Sequence, residues 1–188
     1  MDKTLRRQRT GVALMSVVLA SASVAFVGAA GAADARYCGI TWGSQAKDGD
    51  ASDHGALRDV RTGAHECFDR VVFDFVGPAP AHEVDYASEM RTSGKGERLP
   101  VAGGALLRVQ LHTNIFDRLG RAHYARVAGD HVADLNGYRT LRDVVHGGGF
   151  EGRLTFGVGV RARLPYRVFT LPVSGSGGRL VIDVAHRW

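Results

Sequence analysis

Residues 152–160, GRLTFGVGV, alternate strictly between apolar side chains and other residues. The apolar side chains occupy every second position: Leu154, Phe156, Val158 and Val160. The positions between them share the opposite face: Arg153, Thr155, Gly157 and Gly159. Because successive side chains of a β-strand point to opposite faces, this stretch predicts a strand whose apolar face is turned inward.

Similar short segments, rich in β-branched and aromatic residues, recur from Asp69 onward. They are DRVVFDFVG (69–77), AHEVDYASEM (81–90), ALLRVQLH (105–112), a short strand at 141–145, LPYRVFTL (164–171) and GGRLVIDVAH (177–186). Turn signals separate them, and no amphipathic helix of useful length follows residue 35. This pattern predicts an all-β fold, a sandwich or a barrel, and we favour an antiparallel β-sandwich over residues 69–188.

The first 35 residues have the order of a secretory signal: a basic start, an apolar run and small residues. Cleavage after Ala32 or Ala35 fits this pattern, and removal of the segment would leave no stable membrane span. The alternative is that the segment stays as an uncleaved membrane anchor. Residues 1–35 carry four basic and two acidic residues, so the formal charge of the rest is +3 rather than +5. The prediction is a secreted or envelope-associated protein. No basic run with interleaved aromatics points to nucleic acid.

Residues 36–68 are polar and rich in turns, and we interpret them as an N-terminal arm beside the sandwich. The two cysteines, Cys38 and Cys67, are 29 residues apart, and in an exported chain they predict one disulfide that tethers this arm. A catalytic thiol with His65 as its base is the alternative. Trp42 is a further anchor for the arm.

The last strand carries two polar groups, Asp183 and His186, that could belong to a site. Strand parity places them on opposite faces, so they cannot form a local acid–base pair. The expectation is a core strand with one hydrogen-bonded Asp and one His near its end.

The eight histidines are scattered, and none has the spacing of a zinc site, so we predict no metal and no cofactor. The sequence contains no catalytic motif that we recognise. Gly147–Gly148–Gly149 precedes a strand rather than a helix, which favours a tight turn or bulge over a phosphate cradle.

Taken together, YCGITWGS near the start of the mature chain, HECFDRVVFDFVG, GGGFEGRLTFGVGV, PYRVFTL and RLVIDVAH resemble the AMIN-like domain of actinobacterial exported proteins and lipoproteins. This family is related to the AMIN domain of cell-wall amidases, and the resemblance covers about residues 37–186. It implies a β-sandwich module that binds the cell envelope, with peptidoglycan as the expected ligand. The chain departs from many relatives because it has no lipid-attachment cysteine.

The first hypothesis is therefore a non-enzymatic module that binds peptidoglycan or another envelope glycan. Glycan sites combine aromatic faces with a few polar groups, and arginine forks suit carboxylates and phosphates. The candidate ligand-binding residues are Tyr37, Trp42, Glu151, Arg153, Arg161 and Arg163.

Two other functions stay open. An envelope hydrolase could use His and Asp side chains in the 112–134 region: His112, His123, Asp130 and His131. A secreted protein-interaction domain could meet a partner through a sheet edge or the arm.

Overall fold

The computed structural model describes residues 36–51, 55–175 and 177–188. The predicted signal peptide, residues 1–35, lies outside the described residues. The described chain forms thirteen strands and no helix, which confirms the all-β prediction. In chain order they are β1 (Arg36–Tyr37), β2 (Ile40–Thr41), β3 (Lys47–Gly49), β4 (Ala56–Ala64), β5 (Phe68–Val76), β6 (His82–Ala87), β7 (Met90–Arg91), β8 (Arg98–Leu99), β9 (Ala105–Leu111), β10 (Leu141–Phe150), β11 (Arg153–Val160), β12 (Tyr166–Val173) and β13 (Gly177–Ala185).

Nine of these strands build two antiparallel sheets. The first has the order β10-β11-β9-β6-β3 and the second the order β12-β13-β5-β4. Two short ribbons, β1-β2 and β7-β8, complete the described strands. Among the described residues, no helix is long and apolar enough to cross a bilayer.

The inner faces of the two sheets share one core, as the alternation predicts. Phe73 on β5 and Phe156 on β11 meet edge to face across the sheets, with ring centroids 5.0 Å apart. All four apolar positions of the opening stretch are buried. Burial of each such side chain contributes roughly 1.5–3 kcal/mol, so alternation on both sheets is sufficient to hold the layers together.

The outer face of β11 is covered rather than open to solvent. Residues 88–104 run over it, and a Cβ on Gly159 would lie 1.9 Å from the carbonyl oxygen of Ala102. The predicted outward face is therefore correct in parity, but its two glycines make room for this segment: Gly159 for the backbone of Ala102 and Gly157 for the side chains of Val101 and Met90.

The predicted arm contributes two strands to the sheets. β3 pairs with β6 at the edge of the first sheet, and β4 pairs with β5 at the edge of the second. The sandwich therefore draws on residues upstream of Asp69. A bulge between Leu57 and Asp59 puts the two large buried side chains of β4, Leu57 and Val60, three positions apart, so the strand lacks the period of two that would predict it.

Residues 112–140 form a surface excursion without a regular strand, and part of it protects a sheet edge. The amide of Val132 donates to the carbonyl of Val144, and the amide of His146 donates to the carbonyl of Asp130. β10 extends five residues beyond the predicted 141–145 strand, to Phe150. Its register shifts between His146 and Gly148, which confirms the bulge predicted at the triple glycine.

Candidate functional site

The two cysteines form the predicted disulfide, with the Cα atoms of Cys38 and Cys67 6.3 Å apart. It joins the segment between β1 and β2 to the residue before β5. Trp42 is only 6% exposed; its Nε1 donates to the carbonyl of Tyr37 at 2.8 Å, and its ring contacts Phe68. Trp42 therefore anchors the N-terminal segment, and its ring has no free face for stacking on a sugar.

The three predicted arginines do not form one surface. Arg153 begins β11 and Arg161 follows its last residue, so the strand separates them by about 26 Å. Arg161 donates to the carbonyl of His186, and the Arg163 guanidinium lies 4.6 Å from the centre of the Tyr86 ring. Tyr37 lies elsewhere again, beneath the guanidinium of Arg187.

Asp183 and His186 belong to separate networks, as strand parity predicts. Asp183 is fully buried and accepts hydrogen bonds from Arg70 and Arg167, while His186 Nε2 lies 3.0 Å from Asp69 Oδ1. The prediction of a core strand with one hydrogen-bonded Asp and a His near its end is confirmed.

Glu151 and Arg153 are the two predicted residues that the structure brings together at a cavity. They lie at the turn of the β10–β11 hairpin, and Glu151 has a left-handed backbone with φ of +49°. Beside them is a cleft of about 500 Å³, which we call the hairpin cleft. Its walls are residues 113–116, residues 126–128 and the hairpin tip 148–154, and His146 lies at its base.

Three large apolar side chains of the cleft are exposed although their neighbours on the sheets are buried. Phe116 is 51% exposed, Val127 67% and Phe150 56%. Across the described residues only two other large apolar side chains, Leu119 and Trp188, are more than half exposed. Such a concentration on concave walls is typical of a site that accepts the apolar face of a ligand.

At the base of the cleft, His146 is a buried polar side chain without a hydrogen-bond partner, and the buried Tyr124 beside it also lacks one. His146 is 3% exposed, stacks on Phe156 at 4.8 Å and contacts the Tyr124 ring edge to face at 5.4 Å. Among the described residues, its two ring nitrogens and the Tyr124 hydroxyl are the buried side-chain atoms that lack a hydrogen-bond partner. Because an unmade buried hydrogen bond costs about 1–3 kcal/mol, an unpartnered His146 at the base of a cleft favours a ligand that supplies the missing partner.

Burial lowers the pKa of His146 below its ordinary value of 6.5, and the nearby backbone of Arg126 and Val127 and the carboxylate of Asp130 oppose this only in part. Burial likewise raises the pKa of Tyr124. Both groups are therefore neutral near neutral pH, and each can donate and accept a hydrogen bond. The rim adds charge, since Arg126, Glu151 and Arg153 are exposed there.

The lowered pKa of His146 predicts a pH dependence of stability. The unfolded chain takes up a proton as the pH falls through about 6.5, before the folded chain does, so stability is lost on acidification. Replacing His146 by Phe should reduce the fall in melting temperature between about pH 7.5 and pH 5.5. Tyr124→Phe is the control, because it changes the same pocket but leaves the imidazole. An unchanged fall in His146→Phe would contradict the assignment.

The histidines of the hydrolase hypothesis are not gathered. His112 Nε2 lies 3.2 Å from Glu83, His123 Nε2 2.9 Å from Asp117, and His131 Nδ1 2.7 Å from Asp143. Each imidazole thus has a different acid on a different element. No group of three or more His, Cys, Asp or Glu side chains placed to hold a metal is found in the part of the chain that the structure describes.

Four residues of the cleft are not predicted from the sequence: Phe116, Arg126, Phe150 and His146. The sequence does indicate that Phe150 is exposed, because this residue directly follows the triple glycine and lies next to the hairpin turn, at the very end of its strand. For His146 no such signal existed, since its lack of partners depends on which loop covers it.

The described residues thus form an antiparallel β-sandwich with an open, ligand-sized cleft between its loops. The chain belongs to the AMIN-like domain family, whose model matches residues 55–186. Searches of curated proteins and of solved structures find no match. AMIN-like domains are generally non-catalytic binding modules, and membership indicates an envelope-related role.

Proposed function

We propose that this protein is an exported, non-enzymatic module that binds a cell-envelope glycan, with peptidoglycan as the first choice, and that the hairpin cleft holds the ligand. The observation that carries the proposal is the combination of exposed aromatic walls with the unpartnered His146 at the base of the same cleft. The family supports an envelope role for such a module.

The chemistry of the cleft suits an amino-sugar polymer that carries short peptides. The rings of Phe116 and Phe150 can pack against the C–H faces of sugar rings. The neutral His146 can donate to or accept from a hydroxyl or acetamido group of the ligand. On the rim, Arg126 and Arg153 suit peptide carboxylates, and Glu151 suits a free amine.

The volume of the cleft agrees with this ligand class. About 500 Å³ lies within the usual range of small-ligand pockets and accommodates a short segment of a polymer rather than a folded partner. Both ends of a glycan strand could leave the site because the cleft opens between surface loops.

The test is co-sedimentation of the purified, disulfide-bonded protein with peptidoglycan sacculi. The wild type should bind at low salt, and Phe116→Ala/Phe150→Ala should weaken binding by about tenfold or more, since two apolar contacts are lost. Leu119→Ala is the matched control, because Leu119 is 77% exposed on the same loop but lies outside the hairpin cleft.

Two outcomes would overturn the proposal. Absence of wild-type binding at low salt would remove peptidoglycan as the ligand. Equal losses in Leu119→Ala and the double variant would show that the loop attaches non-specifically and that the cleft is not the site.

A further inference from the structure

The outer face of the four-stranded sheet carries a groove of about 240 Å³ that shares no residue with the hairpin cleft. We propose that this arginine groove is a second binding site, specific for a phosphate-bearing polyanion. Three guanidinium groups line it: Arg61 on β4, Arg70 on β5 and Arg179 on β13. The proposal is independent of glycan binding by the cleft.

Two buried carboxylates hold these guanidinium groups in place from below. Asp74 Oδ2 accepts from Arg61 Nε at 2.6 Å, and Asp74 Oδ1 accepts from Arg179 Nε at 2.8 Å. Burial by itself raises the pKa of Asp74, but the hydrogen bonds from both arginines outweigh it and bring the pKa below its ordinary value. Asp74 is therefore a charged anchor, and the two side chains are preorganised around it.

The second anchor is Asp183, which is fully buried. Arg70 donates to its two oxygens through Nε and Nη2, at 2.6 and 2.9 Å, and Arg167 donates to Oδ2 as well. Four guanidinium groups thus meet two buried carboxylates on this face. Asp59 is the nearest further acid, 3.9 Å from Arg61 Nε, and it does not line the groove.

The bonding pattern leaves donors available to a ligand. Within the described residues, Arg61 and Arg179 each reach Asp74 through Nε alone, so their Nη groups remain for another acceptor. The Arg61 side chain is 50% exposed and the Arg179 side chain is 39% exposed. An anion that enters the groove would therefore meet charged donors without displacing an internal ion pair.

The geometry of the groove selects the kind of anion. Arg70 and Asp74 are four residues apart on β5, so the two anchored clusters are about 13 Å apart along the sheet. Val72 and Val181 lie opposite each other between the clusters and make the floor apolar. A ligand that contacts both clusters must carry repeated negative groups along a chain.

Phosphate suits this groove better than carboxylate. The donors come from three different strands, and a tetrahedral phosphate accepts hydrogen bonds from several directions, whereas a planar carboxylate is satisfied by one arginine fork. The groove is lined by no acidic residue among those described, and its remaining polar groups, His65 and Thr62, are compatible with phosphate oxygens.

The experiment measures the affinity for a short inorganic polyphosphate at low and at moderate salt. The test variant is Arg61→Gln/Arg70→Gln, which leaves each buried carboxylate one arginine partner, Arg179 on Asp74 and Arg167 on Asp183, so the sheet keeps its anchors. We expect wild-type binding that weakens with salt and is reduced about tenfold or more in the variant.

The matched control is Arg98→Gln/Arg108→Gln, which removes the same charge outside the groove and breaks the Arg108–Asp85 ion pair in the other sheet. It should bind polyphosphate nearly as the wild type does, and both double variants should bind sacculi normally. The assignment would be overturned if the wild type does not bind polyphosphate, or if both double variants lose the same affinity for it. Equal affinity of the wild type for poly-glutamate would also overturn it. Melting curves of each variant show whether the fold is kept.

Discussion

Replacing Asp69 by Ala is expected to lower the free energy of unfolding by about 3–5 kcal/mol, because it breaks a buried hydrogen-bond network around a fully buried carboxyl group. Asp69 Oδ2 accepts from the amides of Thr140 and Leu141 at 2.5 and 3.0 Å, and Oδ1 lies 3.0 Å from His186 Nε2. These contacts join β5 to the start of β10 and to the end of β13. The alanine leaves the buried amides of Thr140 and Leu141 without an acceptor and His186 Nε2 without its partner, while His186 Nδ1 keeps its contact with the carbonyl of Glu66.

Urea denaturation of the purified variant measures this loss, and two further variants make it specific. Asp69→Asn keeps one acceptor oxygen and should lose less than the alanine. Asp85→Ala removes a carboxylate that pairs with a half-exposed Arg108 and should cost about 1 kcal/mol or less. If Asp69→Ala loses no more than Asp85→Ala, the network does not stabilise the junction of the two sheets.

Removing the disulfide is expected to cost about 3–4 kcal/mol in Cys38→Ser/Cys67→Ser, because the bond closes a separation of 29 residues in the unfolded chain. The bond ties the N-terminal segment to the start of β5, where Trp42 also packs on Phe68. Part of this segment supplies the edge strands β3 and β4, so its release exposes both sheet edges to fraying.

Denaturation with and without a thiol reductant measures this contribution. Reductant should shift the wild type to the midpoint of the double variant and leave the double variant unchanged. A wild type that keeps its midpoint when fully reduced, with free thiols confirmed by mass spectrometry, would show that packing alone holds the segment.

Much of the fold could be predicted from strand parity. The rule that side chains alternate placed Leu180, Ile182 and Val184 on one face, and all three are buried. The rule failed at β4, where the bulge after Leu57 breaks the period of two. At β10 it predicts a strand that ends at residue 145, because the glycines that follow carry no apolar side chain. In both places the backbone hydrogen bonds continue although the side-chain pattern does not.

Much less of the candidate site could be predicted. Glu151 is predicted from its place beside the glycine turn, and Arg153 from its place in an outward row with Arg161 and Arg163. Its residue type predicts Trp42 as a glycan contact, but the side chain is buried against Phe68. An aromatic ring in a tethered segment gains more free energy from packing on the domain than from staying exposed to solvent. Residue type alone does not tell an anchor from a contact surface.

The sequence by itself determined the strand class, the parity of β11 and β13, the pair of cysteines and the separation of Asp183 from His186, because these depend on local periodicity and on composition. Only the tertiary structure decided that Phe116 and Phe150 line one cleft, that His146 lacks a partner and that Arg61, Arg70 and Arg179 share a groove. These arrangements of side chains depend on the register between strands that are distant along the chain. A shift of one residue in that register would turn each side chain to the other face, so burial of the whole apolar face, rather than any single residue, decides them.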